Sequence, residues 1–535
     1  MKGTPVRASC NSHCKAFLVA ALIVFATAMR GQVVAASSGR QLFNVLDYGA
    51  KKDASVLATE AFRAAIQAAR AAGGGTIYVP PGKYILGPIE LFSNMTLDID
   101  AGATIAFPVA SIPFEKTRYL GVEALAPMAL IGGRNVENVT ITGRGILTTG
   151  LYDDWAKAYG PPPAIPDKSE NANGPHWDHL LKSLEAGQPV SEAEYREAAP
   201  ELRPSFVYFE NAKNVLVEDV RIVGAPMFVV HLLYSENATV RNVMIEANPG
   251  PHVNGIVVDS SRFIRISDDY IDTGDDGIVI KAGKDADGLR VNRPSEDVTI
   301  TNCTVHHAHG AVTIGSETSG SIRNVVASNI TAVDTENGIR IKSRRGRGGV
   351  VEDVRFDNWT MENVGTGIVV TSYYVMGGEG ATAEQAVSAG TPAFRNIAIS
   401  NVTINHSKVA IDIEGLPEMR IDGLRLADVV ASGKAGLLAT YTDALELHHV
   451  QVNAESGSDF TIENGSDLLL DDVSSGKPAA GAPVVRFTKS PGAILRDSRA
   501  VQGTDVFLST GTGELRSVIL LGNALAGSKT PTEER

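Results

Sequence analysis

ENATVRNVMIEA, residues 236–247, sets a short run of strand-forming residues, an Arg-Asn pair and a second short run within twelve positions. The unit returns as KNVLVEDVRIVG (213–224), SRFIRISDDYIDT (261–273), EDVTITNCTVHH (296–307), GSIRNVVASNITAV (320–333), GVVEDVRFDNWTMEN (349–363) and FRNIAISNVTINHS (394–407). Copies begin roughly 22 to 45 residues apart and carry almost no helical periodicity. Repetition of one strand–turn–strand unit at this interval marks a solenoid, and the pattern predicts an all-β parallel β-helix. Weaker copies, SNMTLDIDAGATIAF and ENVTITGRGILTT before and EMRIDGLRLADVV, ALELHHVQV and SDLLLDDV after, extend it over residues 41–525.

A solenoid exposes unpaired edges at its ends and needs caps. Helix formers with apolar residues at helical spacing from Ala58 to Ala72, stopped by Gly73-Gly74-Gly75, predict an N-terminal capping helix over 58–72. The tail 526–535 reads as disordered. Between Leu151 and Arg203 the repeat breaks off into a stretch with Trp155, Trp177, three consecutive prolines and a helix near Ser191 to Ala198. An insertion of that length reads as a functional loop over the solenoid's side, its tryptophans either stacking on sugars or anchoring the loop.

Lys2, Arg7 and Lys15, the apolar run from Ala16 to Met29 and the small residues Val33 to Ala36 predict a signal peptide over 1–36, hence a secreted or periplasmic protein with no membrane segment after cleavage. Cys10 and Cys14 fall in this leader, so Cys303 is alone in the mature chain and reads as a small buried hydrophobe. The net charge of −13 drops to about −17 once the leader's four cations are removed, which argues against nucleic acid or an anionic membrane as partner. An acidic ligand would need locally gathered cations. Lys281, Lys284, Arg290, Arg293, Arg344, Arg345 and Arg347 provide such a cluster, or simply discourage edge pairing. GKDADG (283–288) reads as a plain turn rather than a calcium loop.

Chemistry concentrates in four motifs: HVNG (252–255), GDDG (274–277), HG (309–310) and RIK (340–342). Stacked coils lie about 4.8 Å apart, so the motifs predict a groove about 14 Å long on one face. Gly274 and Gly277 would let the backbone bend so that Asp275 and Asp276 share it. A carboxyl raised by its neighbour's charge can then serve as a general acid. Arg340 and Lys342 alternate on a strand and so share a face suited to a carboxylate.

The order GDD, HG, RIK, with YVPPGKYILGPI near the start and coil repeats between, resembles the polygalacturonase-type glycoside hydrolases that cut pectin, over nearly the whole mature chain. The resemblance implies a single-stranded, right-handed, pectin-lyase-like β-helix, usually monomeric, which hydrolyses galacturonate-containing polysaccharide (pectin, galacturonan or rhamnogalacturonan) with inversion and without metal or organic cofactor. It makes Asp275 the proton donor, Asp276 part of the water-activating group, His309 the residue that tunes the acid, and Arg340 and Lys342 the grip on the substrate carboxylate, with Lys281 in the nearby basic set. Tyr373 or Tyr374 would contact sugar. Where the family carries Asn-Thr-Asp-Gly this chain has Asn254, an amide that cannot take a proton from water at neutral pH. Three readings follow: Asp276 activates water with Asn254 positioning it, His252 or Asp272 substitutes, or the chain is a weakened or inactive carbohydrate-binding solenoid. A pectate-lyase-like eliminase on the same fold is the other alternative.

Overall fold

Polar residues at the coil corners explain why this chain turns where it does. Asn138, Asn214 and Asn237 all adopt positive φ, near 55–59°, a conformation Asn tolerates better than other side chains. Their amides hydrogen-bond from coil to coil, Asn214 Nδ2 to Asn138 Oδ1 at 2.9 Å and Asn237 Nδ2 to Asn214 Oδ1 at 2.6 Å. Beside this ladder the charges alternate in register: Lys213, Glu236, Arg262, Glu296, Arg323, Glu352 and Arg395 stand on consecutive coils. Arg262, Arg323 and Arg395 bind the glutamates beneath them at 3.0, 2.6 and 2.7 Å. A one-residue slip would set these side chains against the core, so the outer ladder helps fix the register.

The structure, a computed structural model, describes residues 41–108, 112–150, 174–250, 252–374 and 383–535. The predicted leader, Trp155 and the first part of the insertion lie outside the described residues. Parallel strands of successive coils join in one long sheet wound into a right-handed β-helix. Its core is built of single-file apolar stacks, for example Ile131, Val207, Val230, Ile256, Ile278, Val312, Ile339, Ile368 and Ile411, all fully buried. Cys303 belongs to this core, and burial pushes its thiol up to about 12.

Helix α1 (Thr59–Ala71) carries Phe62, Ala65, Ile66 and Ala69 into the core at the N-terminal end, as the spacing predicts. The opposite end departs from expectation. Residues Ser528–Glu534 are not a disordered tail but a strand paired in parallel with Thr504–Thr510, its Thr530 and Thr532 in register with the buried Val506 and Leu508 while Lys529 pairs with Asp505 on the outer side. GKDADG is likewise not a plain turn: Asp285–Val291 forms a short helix whose Asp285 and Asp287 pair with Arg347 and Arg118.

The described part of the insertion folds into α2 (Pro175–Glu185) and α3 (Glu192–Ala198), the latter started by a Ser191/Glu194 capping box. Together with the antiparallel hairpin Phe114–Tyr119/Val122–Pro127 they build a second apolar cluster outside the solenoid. Trp177, fully buried against Tyr119, anchors this cluster rather than presenting a face to sugar. The solenoid contributes Phe228, Val257 and Val279 to it, so one stretch of the outer sheet face is covered.

Candidate active site

Gly310 shows why the site needs its sequence. A Cβ there would stand 2.2 Å from Thr313 Oγ1, 3.1 Å from Asp276 Oδ1 and 3.2 Å from Arg340 Cδ. Only glycine leaves room for that network. Gly274 and Gly277 act by the same logic: a Cβ would meet Gly250 N at 2.3 Å and Val305 Cγ1 at 2.6 Å. Neither adopts positive φ, so they serve close coil stacking rather than the bend expected from sequence.

The two aspartates part company at once. Asp276 is 1% exposed and lies along the sheet, accepting from Thr313 Oγ1 (2.8 Å) and Arg340 Nη1 (3.3 Å) at one oxygen and from Lys342 Nζ (3.0 Å) at the other. Asp275 turns to the rim, where Nδ1 of His309 lies 3.3 Å from Oδ1 and Nδ1 of His252 lies 3.6 Å from Oδ2. Its backbone carbonyl accepts from the His309 N–H at 3.1 Å, and the Asp276 N–H donates to Asp275 Oδ1 at 2.7 Å.

This geometry reverses the expected electrostatics. Burial favours a neutral Asp275, but the hydrogen bonds and charges of His252 and His309 outweigh it and hold the carboxyl well below the usual carboxylate range. The charge of Asp276 is met by Arg340 and Lys342. Burial in turn lowers His309, and the bond to Asp275 overrides it, lifting the imidazole to about 8. The unit at the rim is therefore a carboxylate–imidazolium pair holding one proton.

The register refines the groove. Asn254 stands one coil before Asp276, with Gly255 N–H donating to the Asp276 carbonyl. Asn254 is buried and its Oδ1 has no hydrogen-bond partner among the described residues. Arg340 pairs with Thr313, not His309, and reaches back two coils to Asp276. Thr313, outside the sequence reading, was findable: Val312 and Ile314 point inward, so alternation puts it on Arg340's face.

Of the two tyrosines, Tyr374 joins the site, its ring 4.7 Å from Lys342 Nζ and 5.5 Å from the Arg340 guanidinium. Tyr373 faces Arg345 instead. Lys281 is buried and bound to Glu317 at 2.6 Å, which takes it out of the sugar-contacting set. Other members of the basic cluster are similarly engaged: Lys284 and Arg344 with Glu185, Arg345 with Glu418, Arg290 with Asp287 and Glu123, Arg347 with Asp285. They lock the insertion and the neighbouring loops to the solenoid and do not form an open polyanion patch. Among the described residues, His306, His307 and Asp334 could together hold an ion, a nitrogen-rich donor set that suits a transition metal better than calcium.

A proton-holding carboxyl–imidazole pair next to a second, cation-bound carboxylate on the outer face of a β-helix defines a glycosidase. Residues 192–442 match the model for glycosyl hydrolases family 28, and residues 42–105 match that for rhamnogalacturonase A/epimerase, pectate lyase-like. A solved exopolygalacturonase from Thermotoga maritima is 32% identical, with a TM-score of 0.66 over 77% of this chain and 92% of that one. An exo-poly-alpha-D-galacturonosidase of Dickeya chrysanthemi is 28% identical over 70% of this chain and 64% of its own length, and a probable polygalacturonase of Vitis vinifera 26% over 72% and 73%. The chain belongs to glycosyl hydrolase family 28.

Proposed function

We propose that this enzyme removes galacturonate units one at a time from the end of a pectic polygalacturonan, by inverting hydrolysis. The observation that carries the reading is the division of labour between the aspartates: Asp275, sharing a proton with His309, delivers it to the leaving oxygen, while Asp276, fixed by Thr313, Arg340 and Lys342, activates water that the Asn254 amide helps to place. Substrate binding assists the transfer. A galacturonate carboxylate drawn to Arg340 and Lys342 brings negative charge towards Asp275 and raises its hold on the proton.

Exo-action is supported by the covered sheet face. On the coils before Thr313 the outward positions Val257 and Val279 are buried in the apolar cluster that also holds Trp177, Leu180 and Leu181, which supports a sugar path over the later coils. In a brief digestion of long homogalacturonan, monogalacturonate should dominate from the first time points while viscosity falls slowly. A ladder of longer oligomers would reject the blocked groove. Ligand binding with no new reducing ends would favour the binding-solenoid reading. The pattern of residues 1–36 supports export, and the enzyme is proposed to work there as a monomer.

The pH dependence follows from the shared proton. Below about 8 the His309–Asp275 pair keeps it; above that value it is lost. The free enzyme's kcat/KM should therefore fall as pH rises through about 8. His309→Ala leaves Asp275 with His252 alone, which should lower kcat/KM about tenfold and move the alkaline limb to lower pH. An unchanged limb would remove His309 from the proton's path.

A further inference from the structure

Two adjacent imidazoles stand at one corner of the solenoid. His306 ends the strand Thr304–His306, and His307 takes the corner that follows, at φ 52°. Asp334 takes the same corner one coil later, at φ 55°, with the His307 N–H donating to the neighbouring Val333 carbonyl at 3.4 Å. In the Asn138, Asn214 and Asn237 ladder such corners are held by amides alone. Here rings face a carboxylate, and the ligand atoms of His306, His307 and Asp334 all lie within 4.8 Å of one another.

The state of each donor points to an ion. His306 is half-buried beside the Tyr270 ring, and neither of its nitrogens has a hydrogen bond or ion pair among the described residues. His307 Nδ1 lies 3.2 Å from Asp272 Oδ1, which leaves Nε2 for an ion. A carboxylate on the far ring nitrogen is the usual support of a metal-bound histidine, because it fixes the tautomer and the ring's orientation. Asp334 accepts from Asn363 Nδ2 at one oxygen and has no salt bridge among the described residues. The adjacent imidazoles His448 and His449 show the contrast: Glu446 and Asp471 take both nitrogens of the first, and Asp428 and Asp472 both nitrogens of the second. Ion pairs consume those two rings and leave His306 untouched.

We infer that His306, His307 and Asp334 form a binding site for one divalent transition-metal ion of the zinc class, which ties two neighbouring coils together. Imidazole and carboxylate donors suit zinc, and tetrahedral ligands about 2.0–2.1 Å from the ion stand about 3.4 Å apart. His307 and Asp334 are exposed, so small rotations of their side chains close the remaining distance. Water completes the shell. The ion is a clip between coils and takes no part in hydrolysis; His309, two positions further on, is engaged by Asp275 and Glu336 instead. These donors meet only in the folded chain, so binding adds to stability by mass action.

Equilibrium dialysis of the full chain against zinc chloride, after stripping with a chelator, tests the site. Wild type should retain about one zinc per chain at micromolar free metal, undisplaced by equimolar calcium. His306→Ala should lower the affinity at least about tenfold, and so should His307→Asn, a residue the left-handed corner accepts. Asp272→Asn, which removes only the orienting carboxylate, should cost about tenfold. Saturating zinc should raise the wild-type Tm by about 2–4 °C and leave that of the His306→Ala variant unmoved. Circular dichroism checks the folding of each variant, and either histidine variant alone decides the matter. No zinc retained by wild type, uptake equal in wild type and a folded histidine variant, or displacement of zinc by equimolar calcium would each overturn the inference.

Discussion

Asp275→Asn should leave the fold intact and lower kcat on polygalacturonan by at least about a hundredfold, the scale of a general acid. The substitution keeps volume and most of the local geometry. Asn can still accept from the Asp276 N–H through its carbonyl and can lie beside His252 and His309. What it removes is the atom that exchanges a proton with the leaving oxygen. A hundredfold loss corresponds to about 2.7 kcal/mol of transition-state stabilisation. The pH profile gives a second readout: the alkaline limb near 8 arises because Asp275 lifts His309, so in the variant that imidazole loses its principal partner and titrates lower. Reducing-end release from a panel of pectic polymers, with circular dichroism as the check on folding, measures the effect. Equal turnover in both proteins would refute the assignment, and would point to Asp276 or Glu336, which lies 3.7 Å from His309, as the proton source.

The β-helix was legible because its determinants are local and repeated. Each Asn or Asp corner and each inward valine or isoleucine recurs at coil spacing, so a misread copy is outvoted by its neighbours. The site motifs were legible for the same reason: GDD, HG and RIK sit at strand edges whose register the repeats fix. What escaped was partnership across coils. Adjacent aspartates suggest mutual repulsion, yet Asp276 meets two cations from residues 340 and 342 and Asp275 meets two imidazoles from 252 and 309, contacts that depend on side-chain reach rather than spacing. The basic cluster misled in the same way, because Glu185, Glu317 and Glu418, which neutralise much of it, are scattered through unrelated segments. The C-terminal strand was missed because its Lys, Pro and Glu residues disfavour a strand; pairing with Thr504–Thr510 overrides them.

Lys342→Met is the second large effect, and it separates holding the site from holding the substrate. Lys342 is 4% exposed, and its ammonium is one of the two cations on Asp276. Burial and the nearby Arg340 charge lower its proton affinity against the pull of Asp276, so the pair is retained in spite of its surroundings. Methionine fills similar volume but leaves one oxygen of a buried carboxylate without its donor. Removing one partner of a buried pair is destabilising by about 3–5 kcal/mol, and the remaining Arg340 keeps the figure at the lower end. The urea midpoint should fall accordingly. Catalysis should drop further, by about a thousandfold in kcat/KM, since both the water-activating carboxylate and the grip on the substrate carboxylate are affected. Comparing free-acid with methyl-esterified polygalacturonan distinguishes the roles. If Lys342 grips the carboxylate, the loss is much larger on the acid than on the ester. If it serves only to fix Asp276, the two losses are equal, and the recognition of galacturonate passes to Arg340 and Tyr374.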